Sequence, residues 1–182
     1  MPSLALAVAL ALAVGLGCAR KGAEKGETPK GETIAEAALP AAIGSQAPEF
    51  ALPDLDGKTV RLSDFMGQVV IVDFWATWCP PCRAEVPDFV RLQSKYRSQG
   101  LAIVGLSMDV GGAKEVRPFA DEFSVNYSVL LGSDDIARTY GGIVGIPTTF
   151  VIDRRGTIVQ KFVGRVGYEA FEMAILPLLQ AS

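Results

Sequence analysis

Cys79 and Cys82 are separated by two residues in Trp78-Cys-Pro-Pro-Cys82. On one turn of helix, that spacing brings two sulfurs within bonding distance. At a helix start, free N–H groups and the positive end of the helix dipole favour the thiolate of the first cysteine, the attacking species. Cys79 is therefore the expected exposed nucleophile and Cys82 the more shielded, resolving thiol. The same spacing serves metals, but a structural zinc needs four ligands. The chain has no histidine and one further cysteine, Cys18, so no metal site is expected. A purely structural disulfide closing so small a loop stabilises little. A carrier of copper(I) on two thiolates remains as a non-enzymatic reading. Without histidine, Ser-His-Asp and Cys-His catalysis are excluded. The net charge of −3 creates no field for a polyanion, so no nucleic acid partner is expected.

The surrounding pattern supplies elements to position the pair. Residues 69–75 form an apolar run broken only by Asp73, which suits a strand buried on both faces. A helix is expected from Cys79 or Pro80, since proline is tolerated in a first turn. Val86, Phe89, Val90 and Tyr96 recur at helical spacing, Pro87 interrupts them, and Gly100 is placed as a cap. Residues 101–106 read as the next buried strand, which completes a right-handed βαβ unit. Further on come a helix over 113–123 flawed by Pro118, a strand over 127–131 and a short helix over 134–140. A hairpin over 148–163 turns at Arg154-Arg-Gly156, and 168–179 form a last helix. An N-terminal hairpin over 50–62 turns at Asp54-Leu-Asp-Gly57. The fold class is α/β, a central mixed sheet with helices on both faces, in one domain over 43–182.

Residues 4–16 contain only Leu, Ala, Val and one Gly. A run of about 13 is short for a bilayer span and fits the apolar core of an export signal. Gly15-Leu-Gly-Cys18 resembles a bacterial lipoprotein signal, although Gly15 stands where that pattern has an aliphatic residue. The resemblance makes Cys18 the lipidated mature N-terminus and residues 1–18 the export segment. A plain cleaved signal or an uncleaved anchor is the alternative. Residues 19–42 balance Arg20, Lys21, Lys25 and Lys30 against Glu24, Glu27, Glu32 and Glu36, are interrupted by Gly and Pro, and have no aromatic residue. They read as a flexible charged tether.

The segment from Val72 to Cys82 resembles the thioredoxin active site, with Pro80 where that family usually has glycine. Pro87 matches its helix-kinking proline, Gly145-Ile-Pro-Thr148 its cis-proline loop, and Gly164 a glycine after its last strand. Ala47-Pro-Glu-Phe50 with its hairpin, Cys82-Arg-Ala-Glu-Val-Pro87 and the inserted helix over 113–123 narrow the resemblance to TlpA/ResA-type membrane-tethered extracytoplasmic thioredoxins. It implies a thiol:disulfide oxidoreductase with no cofactor beyond a redox-active Cys79–Cys82 disulfide. Its partners would be protein substrates with cysteine pairs and an upstream membrane thiol reductase, in cytochrome c maturation or metal-centre assembly. It would be exported, periplasmic or extracytoplasmic, and held to the membrane by its N-terminal anchor.

The resemblance places Pro147 in a cis bond beside the disulfide, presenting the Ile146 backbone to an extended peptide. Trp78, Pro80 and Pro81 would face substrate, with Trp75 in the core. Burial would raise the pKa of Asp73 and suit it to move a proton for Cys82; the alternative is a solvent-facing strand residue. Glu85 is either an acid tuning the thiols or a first-turn carboxylate favoured by the helix dipole. A peroxiredoxin-like peroxidase is the alternative enzyme. That family places Thr three residues before its cysteine, where this chain has Ala76, with Thr77 one place off. Because Pro80 and Pro81 lack N–H donors, the Cys79 thiolate is expected to be less stabilised than in an oxidase, which makes the pair a reductant.

Overall fold

The computed structural model describes residues 41–181. The export segment with Cys18, and all of the tether but its last two residues, lie outside the described residues. Phe50-Ala-Leu-Pro begins the first hairpin among the described residues, β1 (Ala51–Pro53) and β2 (Thr59–Arg61), paired antiparallel as expected. Its turn closes on Asp54, whose Oδ1 accepts from the N–H groups of Asp56 and Lys58, each at 2.9 Å.

Two apolar runs become β3 (Val69–Trp75) and β4 (Leu101–Ser107), both buried at all seven positions. They are joined by α1 (Pro80–Tyr96) and lie parallel. The inserted helix α2 (Ala113–Glu122) leads to β5 (Ser128–Leu131), parallel to β4. After α3 (Asp134–Thr139), β6 (Thr148–Ile152) returns antiparallel to β3, and β7 (Ile158–Val163) pairs with β6 before α4 (Tyr168–Gln180). Among the described residues this gives one mixed sheet in the order β5-β4-β3-β6-β7, the fold expected from the sequence.

Strand alternation sorts the core into two faces. Val69 and Ile71 pack with Phe89 and Leu92 of α1 and Phe171 and Ile175 of α4. Val70, Val72 and Phe74 face the other way, onto Phe150, Ile136 and Tyr140. Burying each such side chain contributes about 1.5–3 kcal/mol. A third cluster joins Val116 and Phe119 of α2 to Trp75, Val86 and both active-region cysteines.

The departures from the expected elements are local. Leu62 opens a 3-10 turn, Leu62–Phe65, rather than ending β2. The Asp64 carboxylate accepts from the Arg61 N–H at 2.8 Å and so competes with the strand ladder. Tyr127 lies just outside β5. Helix α2 runs unbroken through exposed Pro118. Gly100 caps the 3-10 turn Arg97–Gln99 at φ +93°, one short step beyond the end of α1.

Gly105 in β4 has a steric duty toward the active end of the sheet. A Cβ there would meet Trp75 Nε1 at 2.8 Å and Tyr127 Cε2 at 3.3 Å. Trp75 is 1% exposed, so its indole has nowhere to move. Gly105→Ala is expected to destabilise the protein by about 1–3 kcal/mol through overpacking. Urea unfolding reads this as a lower midpoint at constant m, and an unchanged midpoint would contradict the packing argument.

Candidate active site

β3 ends at Trp75, and four residues later Cys79 caps α1 in extended conformation (φ −89°, ψ 107°). Pro80 and Pro81 occupy the first helical positions, so the nearest N–H available to the Cys79 sulfur is that of Cys82, which donates to Sγ at 3.3 Å. The two cysteines are disulfide-bonded, with Cα atoms 5.3 Å apart. The Ile146–Pro147 bond is cis, and the Ile146 carbonyl oxygen lies 3.7 Å from Cys79 Sγ. Pro147 is buried and tied to the next loop by the Gly164 N–H, which donates to its carbonyl at 2.9 Å.

The expectation that Cys79 is exposed is corrected by the structure. Cys79 is 3% exposed and Cys82 1%, so in the disulfide form both are buried. Cys79 turns inward to its partner, the cis-proline loop crosses it, and Ala76, Val86 and Phe119 complete its apolar surroundings. The surface over the pair is formed instead by neighbours. Trp78 is 64% exposed, with Pro80 and Pro81 beside it also exposed, whereas Trp75 is core, as read from the sequence.

Asp73 is buried, which excludes the solvent-facing alternative. It points to the α1 face of the sheet and accepts from Thr149 Oγ1, its cross-strand partner on β6, at 2.9 Å. Burial, then the nearby charge of Glu85, hold its carboxyl well above the ordinary range, against the lowering effect of the Thr149 bond. Glu85 is buried too, although it sits on the second turn of a helix whose outer face meets solvent. Its Oε1 accepts from the Val166 N–H at 2.9 Å, and among the described residues Oε2 has no partner. Burial pushes its pKa up to about 7, opposed by the Val166 bond and by Arg165. The solvated first-turn reading of Glu85 therefore gives way to that of a buried acid, electrically coupled to Asp73.

Sequence reasoning weighed Thr77 only against the peroxidase pattern and did not single out Arg83 or Asp109. Asp109 follows β4 by two residues, on the same end of the sheet as the cysteines, and accepts from Thr77 N–H at 3.0 Å and from Thr77 Oγ1 at 2.5 Å. Arg83 donates to the Thr77 carbonyl at 3.2 Å and lies over the rings of Phe119 and Phe123. The available signal was position, since the carboxyl ends of parallel strands are where α/β sheets build their sites.

The raised pKa of Glu85 has a pH consequence with a fixed sign. A carboxyl whose folded pKa exceeds its unfolded value keeps its proton longer when folded, so stability is fullest at low pH and falls as pH rises. For Glu85 the window runs from its ordinary 4.5 to about 7. Unfolding free energy of the disulfide form is expected to fall across that window, with Glu85 contributing up to roughly 3 kcal/mol. Glu85→Gln should remove that part of the slope; identical slopes in denaturant titrations of the two proteins would refute the assignment.

Residues 43–161 match the AhpC/TSA family. The chain is 36% identical over 131 residues to the thiol-disulfide oxidoreductase ResA of Bacillus thuringiensis subsp. konkukian, covering 71% of this chain and 75% of that one. Among solved structures, a Chlorobium tepidum protein assigned as the thiol:disulfide interchange protein DsbE superposes with a TM-score of 0.71 at 37% identity, over 76% of this chain and 99% of that one. A secreted thiol-disulfide isomerase from Corynebacterium glutamicum superposes at 0.69 with 26% identity, over 74% and 85% of the two chains. With a buried strand delivering a Cys-Pro-Pro-Cys disulfide to a helix start beneath a cis-proline loop, the chain belongs to the AhpC/TSA family of thioredoxin-like proteins and is a thiol:disulfide oxidoreductase of the TlpA/ResA type.

Proposed function

We propose that the chain reduces protein disulfides outside the cytoplasm, with the Cys79–Cys82 dithiol, and no bound cofactor, as its redox group. The observation that carries the direction is the donor set of Cys79. The Cys82 N–H reaches its sulfur, while Pro80 and Pro81 have none to offer. A thiolate with so few donors is weakly stabilised, and a weakly stabilised reduced form makes the pair a reductant rather than an oxidant.

In the forward reaction the Cys79 thiolate attacks a substrate disulfide, forming a mixed disulfide and releasing one substrate thiolate. Cys82 gives its proton to Asp73 and attacks Cys79 Sγ, which releases the second substrate thiolate and leaves the enzyme oxidised. Two electrons have passed to substrate, and a membrane thiol reductase restores the dithiol. Glu85 acts on the same step by raising the proton affinity of Asp73. Trp78, Pro80, Pro81 and the Ile146–Pro147 backbone receive the peptide. An anchor at Cys18 would hold the domain at the membrane, as a lipoprotein, where cysteine pairs destined for haem or copper are kept reduced. The comparison with a secreted isomerase supports the compartment. A peroxidase reading is disfavoured because the Thr77 hydroxyl is engaged by Asp109 rather than offered to the cysteine.

Three measurements test this reading. The pair should titrate at a potential well below the ~−120 mV of a strong oxidase on the usual scale; a value near that figure would reverse the direction. Cys82→Ser should accumulate reductant-sensitive covalent adducts in its own cell envelope, and Cys79→Ser far fewer, with mass spectrometry naming the partners. Equal trapping by both would contradict the assigned roles. Asp73→Asn should fold, because it removes a costly buried carboxyl at constant shape. It should also slow release from the mixed disulfide, and rates unchanged from pH 6 to 9 would exclude Asp73 as the proton acceptor.

A further inference from the structure

Two loops at the carboxyl end of the sheet each carry a large exposed apolar side chain. Trp78 stands on the β3–α1 loop at 64% exposure and Val110 on the β4–α2 loop at full exposure. A lone exposed apolar residue needs no explanation. These two differ because the loops beneath them are pinned and joined. Buried Asp109, the residue before Val110, accepts from Thr77 N–H and Thr77 Oγ1 and also from Ser107 Oγ at 2.7 Å, while its own N–H donates to Ser107 Oγ at 3.2 Å. On the other side of Val110, the Gly111 N–H donates to Glu115 Oε2 at 2.9 Å. Thr77, the residue before Trp78, is held a second time through its carbonyl by Arg83. Each apolar tip therefore follows a residue of the same bonded pair, and neither can swing away from the other without breaking charge-assisted bonds, which are among the stronger kind.

We infer that Asp109 is a positioning residue for substrate: through Thr77 it sets the spacing of Trp78 and Val110, so that the two form one apolar contact for residues flanking the target cysteine. The preferred substrates are then disulfides set in apolar, extended sequence. Asp109 touches neither sulfur and acts only through the two loops. This rests on the oxidoreductase activity and not on its direction.

The test uses the full-length chain, with insulin as the protein disulfide and dithiothreitol as the electron source. Asp109→Asn leaves a single acceptor for the donors it meets, and Thr77→Val removes the hydroxyl while keeping the backbone. Each is expected to raise KM about tenfold, the scale of one lost hydrogen bond to a charged group, with kcat within about twofold. Thr77→Ser retains the hydroxyl and should keep KM near the wild-type value. Val110→Ser combined with Asp109→Asn should raise KM no further than the larger single effect, because both act on one contact. A fall in kcat at constant KM would overturn the inference, as would multiplication of the two effects in the double variant. A lowered thermal midpoint with KM unchanged would also overturn it, by making the Asp109–Thr77 bonds merely structural.

Discussion

The working end of this protein depends on β3 being buried on both faces and paired on both edges. A strand in that position cannot shift its register without displacing seven buried side chains, Asp73 among them, from their places in the core, so the residues that leave its carboxyl end are delivered to a fixed point. Four residues after its end Cys79 caps α1, and among the described residues the backbone donor that the helix start directs to its sulfur is that of Cys82. The sheet supplies placement, and the two prolines supply the electronic character of the pair by removing donors that other residues would provide.

The same burial creates the acid pair behind the disulfide. Asp73 is carried inside because the strand is, and Glu85 because α1 lies over that strand. Two carboxyls that share a poorly solvated region cannot both ionise cheaply, so each raises the cost of charging the other. The fold tolerates this by giving each acid one donor among the described residues, Thr149 to Asp73 and Val166 to Glu85. The donor to Glu85 comes from the loop that also reaches the Pro147 carbonyl, through Gly164. The helix bearing Cys82 and the loop crossing Cys79 thus share a support, and a change in either is felt by both.

Much of this was legible along the chain. Alternation and apolar runs report which backbone is extended and buried, and they placed the strands and α-helices of the described residues to within a few residues, though not the 3-10 turns. The Cys-Pro-Pro-Cys spacing reports what one helical turn can bring together, and the lone Asp73 in an apolar run reports its own burial. Those inferences succeed because each depends on neighbours in sequence. The tertiary structure decided whatever depends on strand order and register. Asp73 meets Thr149 because β6 lies antiparallel to β3 at one particular offset. Thr77 meets Asp109 because β4 ends beside β3, across a separation of 32 residues. Cys79 is covered rather than exposed because a loop from beyond α3 returns over it. No local pattern encodes such meetings, since a side chain's partner is chosen by how the whole sheet closes and not by the residues on either side of it.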